Sequence, residues 1–227
     1  MKSTFKKGFT LVELLIVITI LAILSVAVIA ALNPIEQANK ATDARMKNDA
    51  AELLSAVERY YTAKQEYPWN NTTWNPKIAT VDAVAGFTAG MYGVGICGGL
   101  AAVDVHGTEA GCVTGGLLNT TDELKDTFRN KTFFTTTVAS DKLYVYKGTG
   151  SNLQVCFIPR SKSNRTLSTT DPNSILYKVG LDANGYPNAV TKMTTILAPD
   201  GDATNCPPSV SSTGWANLVS TCMICVP

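Results

Sequence analysis

Residues 9–32 read FTLVELLIVITILAILSVAVIAAL, a run of 24 residues with a single charge, Glu13. As an α-helix rising ~1.5 Å per residue it is ~36 Å long, enough to cross a hydrocarbon core of ~30 Å. The eight residues before it, MKSTFKKG, hold Lys2, Lys6 and Lys7 and no acid. Such a basic flank places the N-terminus on the cytoplasmic side. After Pro34 no other run approaches spanning length, so residues 35–227 are expected on the far side of the membrane. The run also explains a mean hydropathy of +0.09 in a chain otherwise rich in Thr, Asn and Gly. A formal charge of +1 leaves no basic footprint for nucleic acid. The single histidine, His106, excludes a multi-histidine metal site and leaves few routes to a histidine-based catalytic relay.

Three kinds of N-terminal segment share this outline. A secretory signal cut after a small-x-small site such as Val28-Ile29-Ala30 fits the basic start. Its apolar stretch would be only ~7–15 residues, however, and Glu13 is unfavourable inside it. A plain membrane anchor tolerates the length but gives Glu13 no role, although an ionisable residue inside a membrane helix marks function by default. The third kind uses every odd feature: the leader ends in Gly8, Phe9 opens the apolar run, and Glu13 is the fifth residue counted from Phe9.

With these residues, in the stretch KKGFTLVELLIVI, the sequence resembles the type IV pilin and type II secretion pseudopilin family. The likeness covers residues 6–34 most closely and continues along the helix to about residue 68. It implies that a prepilin peptidase cuts between Gly8 and Phe9 and that Phe9 is then N-methylated. The apolar run stays on the product, so the protein remains anchored. Gly8 has a physical reason in this reading, because a residue with no side chain lets an extended backbone enter a tight protease cleft. Taken alone, Gly8 is a flexible linker. In a bundle of such helices, the Glu13 carboxylate is implied to pair with the free amine of Phe9 on a neighbour and to set the axial stagger. A paired buried charge costs far less than an unpaired one. Taken alone, Glu13 is a carboxyl that is protonated or that snorkels to the headgroups. The implied partners are the prepilin peptidase, other pilin or pseudopilin subunits in a homo- or hetero-polymer, an assembly platform with its ATPase machinery, and the membrane.

Beyond the run, Pro34 is expected to kink or melt the helix as it leaves the membrane, by removing an N–H and crowding the carbonyl of Ala30. Met46, Ala50, Leu53, Val57 and Tyr60 then recur at 4-3-4-3 spacing, with Leu54 and Tyr61 widening the stripe. This is one face of an amphipathic helix, expected to pack on the protein's own sheet and to end before Pro68. The expected organisation is a leader at 1–8, a membrane or filament-core helix at 9–32, an amphipathic stalk at 33–67 and an exported head at 68–227. Counted from Phe9 to about Lys64, the helix would hold 56 positions, ~84 Å if straight.

The head reads as α+β, a long helix packed on an antiparallel sheet of about four strands. Residues 86–116 hold ten of the seventeen glycines and form a loop or irregular hairpin clipped by Cys97 and Cys112. Gly93–Gly98 satisfies G-x-G-x-x-G only superficially, with no βαβ context around it. His106 is expected on the solvated surface. Thr120-Thr121-Asp122-Glu123 predicts a capping box opening a short helix with Leu124 and Phe128 on one face. A strand is expected over 133–138, a hairpin over 143–146 and 153–158, and a second hairpin over 175–181 and 189–197 around Asp182-Ala183-Asn184-Gly185.

Six cysteines in an exported segment read as disulfides. Cys97 and Cys112 pair by proximity. Cys156, Cys206, Cys222 and Cys225 allow three pairings; in one reading Cys206 clips the tail locally while the other tail cysteine reaches Cys156. A Cys₄ zinc site built on Cys222-x-x-Cys225 is the alternative, without close spacing in its other half. Asp182-Ala183-Asn184-Gly185 and Asp200-Gly201-Asp202 have alternating oxygen ligands as calcium loops do, but neither completes the calcium-loop pattern, and Asp, Asn and Gly also simply form turns. No cofactor is expected. No Ser-His-Asp set or nucleophile motif points to an enzyme. The expected function is a structural subunit of a pilus or pseudopilus; the alternative is a membrane-anchored binding or adhesion module that does not polymerise.

Overall fold

The computed structural model describes residues 8–31, 33–70, 85–98, 106–108, 110–134, 136, 141–165, 176–184, 186–192 and 220–226. The chain divides into two compact units, Met1–Asn39 and Lys40–Pro227. In the first, helix α1 (Leu11–Ala31) ends two residues before helix α2 (Pro34–Lys64) begins. The two are separate helices, divided just before Pro34, where the sequence leads one to expect a kink or a short melted stretch. Pro34 is the first residue of α2, where a missing N–H costs nothing because that group has no helical partner. Asn33 caps it: its side-chain Oδ1 accepts the Glu36 N–H at 3.1 Å and its carbonyl accepts Gln37 N–H at 3.2 Å. At the other end Gln65 takes the left-handed conformation (φ 57°) and donates its N–H to the Tyr61 carbonyl at 2.7 Å, closing the helix before Pro68.

From Lys40 onward α2 belongs to the larger unit. Ala50, Leu53, Val57 and Tyr60 are buried, as are Leu54 and Ala56, with Met46 and Tyr61 at the margin. The stripe packs on the protein's own core, against Phe87, Leu143, Val145, Val155, Phe157, Leu176 and Ile224 from the sheet. Burying each such aliphatic or aromatic side chain contributes about 1.5–3 kcal/mol. Two acids extend this face. Asp43, 2% exposed, accepts four hydrogen bonds, from the backbone N–H groups of Arg160 (2.7 Å) and Ser161 (2.9 Å), the Ser161 hydroxyl (2.6 Å) and the Asn164 amide (2.8 Å). Asp49 pairs with Lys131 at 2.7 Å. Asp43 lies three residues before Met46, so carrying the 4-3 stripe one step back would have found it.

Among the described residues the sheet has six strands, not four. β1 (Ala85–Thr88), β2 (Leu143–Lys147), β3 (Leu153–Phe157), β4 (Leu176–Leu181), β5 (Pro187–Lys192) and β6 (Ser220–Val226) lie in the order β1-β2-β3-β6-β4-β5, every neighbouring pair antiparallel. Both expected hairpins form, as β2–β3 and β4–β5. The additions are short β1, inside the glycine-rich region, and β6, which enters between the two hairpins. The sheet curls until β5 lies against β1 and β2. Gly86 permits this meeting of edges, since a Cβ there would overlap the Pro187 carbonyl. The sheet's other face buries a second cluster, Tyr144, Cys156, Ile158, Val179, Met223 and Cys225.

Two local expectations fail. The Thr120–Glu123 segment does not start a helix: helix α3 (Leu117–Thr120) ends there, and the Thr120 and Thr121 hydroxyls bond back to the Leu117 carbonyl instead of capping forward. Phe128 sits in a 3-10 segment, Asp126–Asn130. Phe133 and Phe134 also lie in a 3-10 turn, packed with Phe128 ring to ring, and not in a strand. Of the rest of 133–138, only Thr136 is among the described residues.

Asp43→Ala leaves four donors without their acceptor and is expected to cost about 2–4 kcal/mol, read as a lowered urea midpoint. Gly86→Ala is expected to cost about 1–3 kcal/mol by overpacking, seen as a lower Tm. Burial pushes the Tyr144 phenol up to about 12. The folded state therefore holds its proton above pH 10, where the unfolded state loses it. Its contribution is complete below pH 10 and about 2–3 kcal/mol is lost as pH rises toward 12. Tyr144→Phe should flatten the fall in urea-unfolding free energy across that window.

Candidate functional site: the N-terminal segment and the head cysteines

Gly8, Phe9 and Thr10 precede α1 in non-helical backbone, all exposed, and nothing lies within 4 Å of where a Gly8 Cβ would be. Phe9 is 84% exposed. The helix then opens with a reciprocal cap. The Thr10 N–H and hydroxyl both donate to Glu13 Oε2 at 2.8 Å, and the Thr10 hydroxyl oxygen accepts the Glu13 N–H at 3.2 Å. This is a capping box, Thr10-Leu11-Val12-Glu13, and it gives Glu13 a role within its own helix. Its pattern, Thr-x-x-Glu before an apolar run, was present in the sequence; Thr10 was the missed member.

Downstream the helix is apolar all round. The span Leu11–Val28 has a mean hydropathy of 2.9 and none of it is buried. Its hydroxyls turn inward to their own backbone, Thr19 to the Ile16 carbonyl at 2.8 Å and Ser25 to the Leu21 carbonyl at 2.7 Å. Both of these hydroxyls are thus met within the helix, as a hydrocarbon environment requires.

The glycine-rich loop is held at its base by the Cys97–Cys112 disulfide, with Cα atoms 4.9 Å apart, and by bridges between Met91 and Thr108 and between Cys97 and Gly115. The Arg129 guanidinium reaches the Cys112 and Val113 carbonyls from outside. His106 is not simply solvated. Its ring stacks between Phe87 (5.1 Å) and Tyr186 (4.9 Å), extending a file of rings that begins at Tyr61, Tyr67 and Trp69.

Cys156 and Cys225 face each other across β3 and β6 and are joined by a disulfide, Cα atoms 4.0 Å apart. Cys222 is disulfide-bonded too; Cys206 lies outside the described residues. A strand separates the two tail cysteines: residues three apart on β6 point to opposite faces. Cys222-x-x-Cys225 therefore does not present two sulfurs to one atom, and Cys156 and Cys225 are bonded to each other and are not thiolates. Among the described residues no group of three or more His, Cys, Asp or Glu side chains is placed to hold a metal ion. Asp182 accepts the N–H groups of Asn184 (2.8 Å) and Tyr186 (2.9 Å), the work of a turn residue. Asp200-Gly201-Asp202 lies outside the described residues.

Neither the comparison with curated proteins nor that with solved structures finds a match. The family described as the prokaryotic N-terminal methylation motif matches residues 4–29. That range takes in Gly8, Phe9, the Thr10–Glu13 cap and most of the unburied apolar helix. These residues carry the signature of type IV pilins and pseudopilins, which supports a pilin-like or pseudopilin precursor.

Proposed function

We propose that this protein is a structural subunit of a type IV pilus or of a type II secretion-like pseudopilus. The observation that carries the reading is α1 itself: a methylation motif on a helix with no buried face. Such a helix has to be surrounded by lipid or by other apolar helices. A membrane anchor that later becomes a filament core meets both conditions in turn.

Residues 1–8 are the leader in this reading. The exposed, non-helical Gly8–Phe9 stretch supports cleavage there, because a protease needs an accessible, non-helical backbone. Cleavage by the prepilin peptidase frees the Phe9 amine, which becomes methylated. Both Thr10 bonds fall on Glu13 Oε2, so the cap leaves Oε1 to accept the Phe9 amine of a neighbouring subunit. The head lies on the far side of the cytoplasmic membrane and then in a periplasmic or extracellular filament. Its disulfides suit that compartment. Partners are the peptidase, other pilin or pseudopilin subunits, and the assembly platform with its ATPase. The work of the protein is packing, without a cofactor and without a reaction of its own. Loss of Lys2, Lys6 and Lys7 takes the formal charge from +1 to −2 in the mature chain.

Co-expression with a prepilin peptidase tests this directly. Mass spectrometry of the product is expected to give N-methyl-Phe9 at the N-terminus. Glu13→Ala should be processed to the same extent yet lose at least about tenfold in sheared filaments, since an unmatched buried charge costs more than 1.4 kcal/mol. Filaments in normal amount from that variant would remove the pairing role. A wild-type chain that is processed but never found in filaments would leave the anchored binding module.

A further inference from the structure

The file of rings that ends on His106 and Tyr186 starts with three oxidisable residues of the larger unit. Tyr61 on α2 stacks on Tyr67, ring centroids 4.6 Å apart and planes inclined by 20°. Tyr67 stacks on Trp69 at 4.7 Å and 9°. Both pairs lie at the short end of the ~4.5–7 Å range of aromatic pairs, with their π-faces in contact. Exposure rises along this path. Trp69 is 1% exposed, Tyr67 8%, and Tyr61 is half-buried at the margin of the core. In the other direction Trp69 meets Phe87, tilted by 38° at 5.2 Å, and Phe87 meets His106.

Indole and phenol give up an electron far more readily than a phenyl or imidazole ring. The rings from Trp69 to Tyr61 therefore form a path that an electron vacancy can follow, and Phe87 closes its inner end. Trp69 Nε1 sets the direction. It is buried and has no hydrogen-bond acceptor among the described residues. An indole N–H is a donor only, and an oxidised indole ordinarily relaxes by giving this proton away. Trp69 has nothing to give it to, so once oxidised it keeps its charge and its pull on the electrons of Tyr67. Tyr61, the most exposed of the three, can release its phenolic proton to water, which traps the vacancy there. We propose that Tyr67 and Tyr61 discharge one-electron oxidation of the core, carrying the vacancy from Trp69 to the surface. An oxygen-derived radical takes one electron from Trp69 and leaves its radical cation. One electron passes from Tyr67 to Trp69 and one from Tyr61 to Tyr67. Trp69 and Tyr67 end unchanged, and Tyr61 ends as a neutral phenoxyl radical with its proton in water. A soluble thiol restores it by giving one hydrogen atom. The buried indole is thereby spared irreversible oxygenation. This path does not depend on the filament reading.

Laser photoionisation of the full-length chain in detergent micelles tests this. Trp74→Phe and Trp215→Phe leave Trp69 as the indole excited. A pulse at the red edge of indole absorption, beyond that of phenol, ejects the electron. Nitrous oxide captures it, with tert-butanol present to remove the hydroxyl radical formed. Transient absorption is expected to show the indole radical decaying as a phenoxyl radical grows, at a first-order rate independent of protein concentration. Tyr67→Phe keeps a ring to stack but not one to oxidise. It should lose most of the phenoxyl growth and lengthen the life of the indole radical, which a purely structural role for Tyr67 would not bring about. Trapping with a nitroso spin trap, followed by mass spectrometry, should place the adduct on Tyr61, and Tyr186→Phe should change nothing. If the background without Trp74 and Trp215 does not fold, the phenoxyl yield of Tyr67→Phe against the otherwise unaltered chain decides. The proposal is overturned if no phenoxyl radical grows in, if Tyr67→Phe transfers like its parent, or if the adduct sits on any residue but Tyr61.

Discussion

An apolar surface must be taken out of water by something, and in this protein the two long helices meet that demand in different ways. The stripe on α2 is covered by the chain itself, against β1, β2, β3, β4 and β6. Among the described residues nothing covers the surface of α1: its large side chains remain about half exposed or more, from Val17 at 46% to Leu11 at 80%. One helix is therefore complete as folded, and the other is complete only in company. The polar groups near α1 follow the same rule. Thr19 and Ser25 close on their own backbone, and Thr10 and Glu13 close on each other. Outward-facing hydrogen-bonding capacity is reduced almost to the Glu13 carboxylate, at the N-terminal end of the helix.

The larger unit is organised around buried carboxylates as well as apolar contact. A helix face made only of Ala, Leu, Val and Tyr slides easily; Asp43 removes that freedom. Its four donors come from Arg160, Ser161 and Asn164, just after β3, so helix and sheet have one register in which every donor is met. Lys131 on Asp49 and Arg59 on Glu123 (3.0 Å) tie the same helix to the segment before β2. The exposed Arg59 pair adds little energy by itself, but it restricts the same motion.

What was legible in the sequence was what local periodicity encodes. The apolar run, the 4-3 stripe and the two hairpins each announce themselves within about two dozen residues. What was not legible depended on partners far along the chain. Asp43 is explained by groups more than 115 residues away. Gly86 looks like any loop glycine until Pro187 arrives above it. β6 hides for a different reason: buried on both faces, it reads as the unbroken run CMICV without the alternation that marks a half-buried strand. Its cysteines then suggested clips on a tail and not residues of a strand. The Thr120–Glu123 box shows the converse, a good local signal overruled because its threonines were already used to end α3.

The place of β6 bears on the order in which the fold is assembled. Strands β1 to β3 and the β4–β5 hairpin are contiguous enough to form as the chain emerges, and each is one flank of an incomplete sheet. The strand that follows all of them in sequence is the one that joins them. Until it inserts, β3 and β4 both present open edges, the kind of surface that recruits strands from other molecules. Once it inserts, the Cys156–Cys225 bond welds the seam covalently. Folding of the larger unit therefore behaves as a zipper closed by its final tooth, and a chain released before that point would leave open the β3 and β4 edges that β6 pairs in the finished protein.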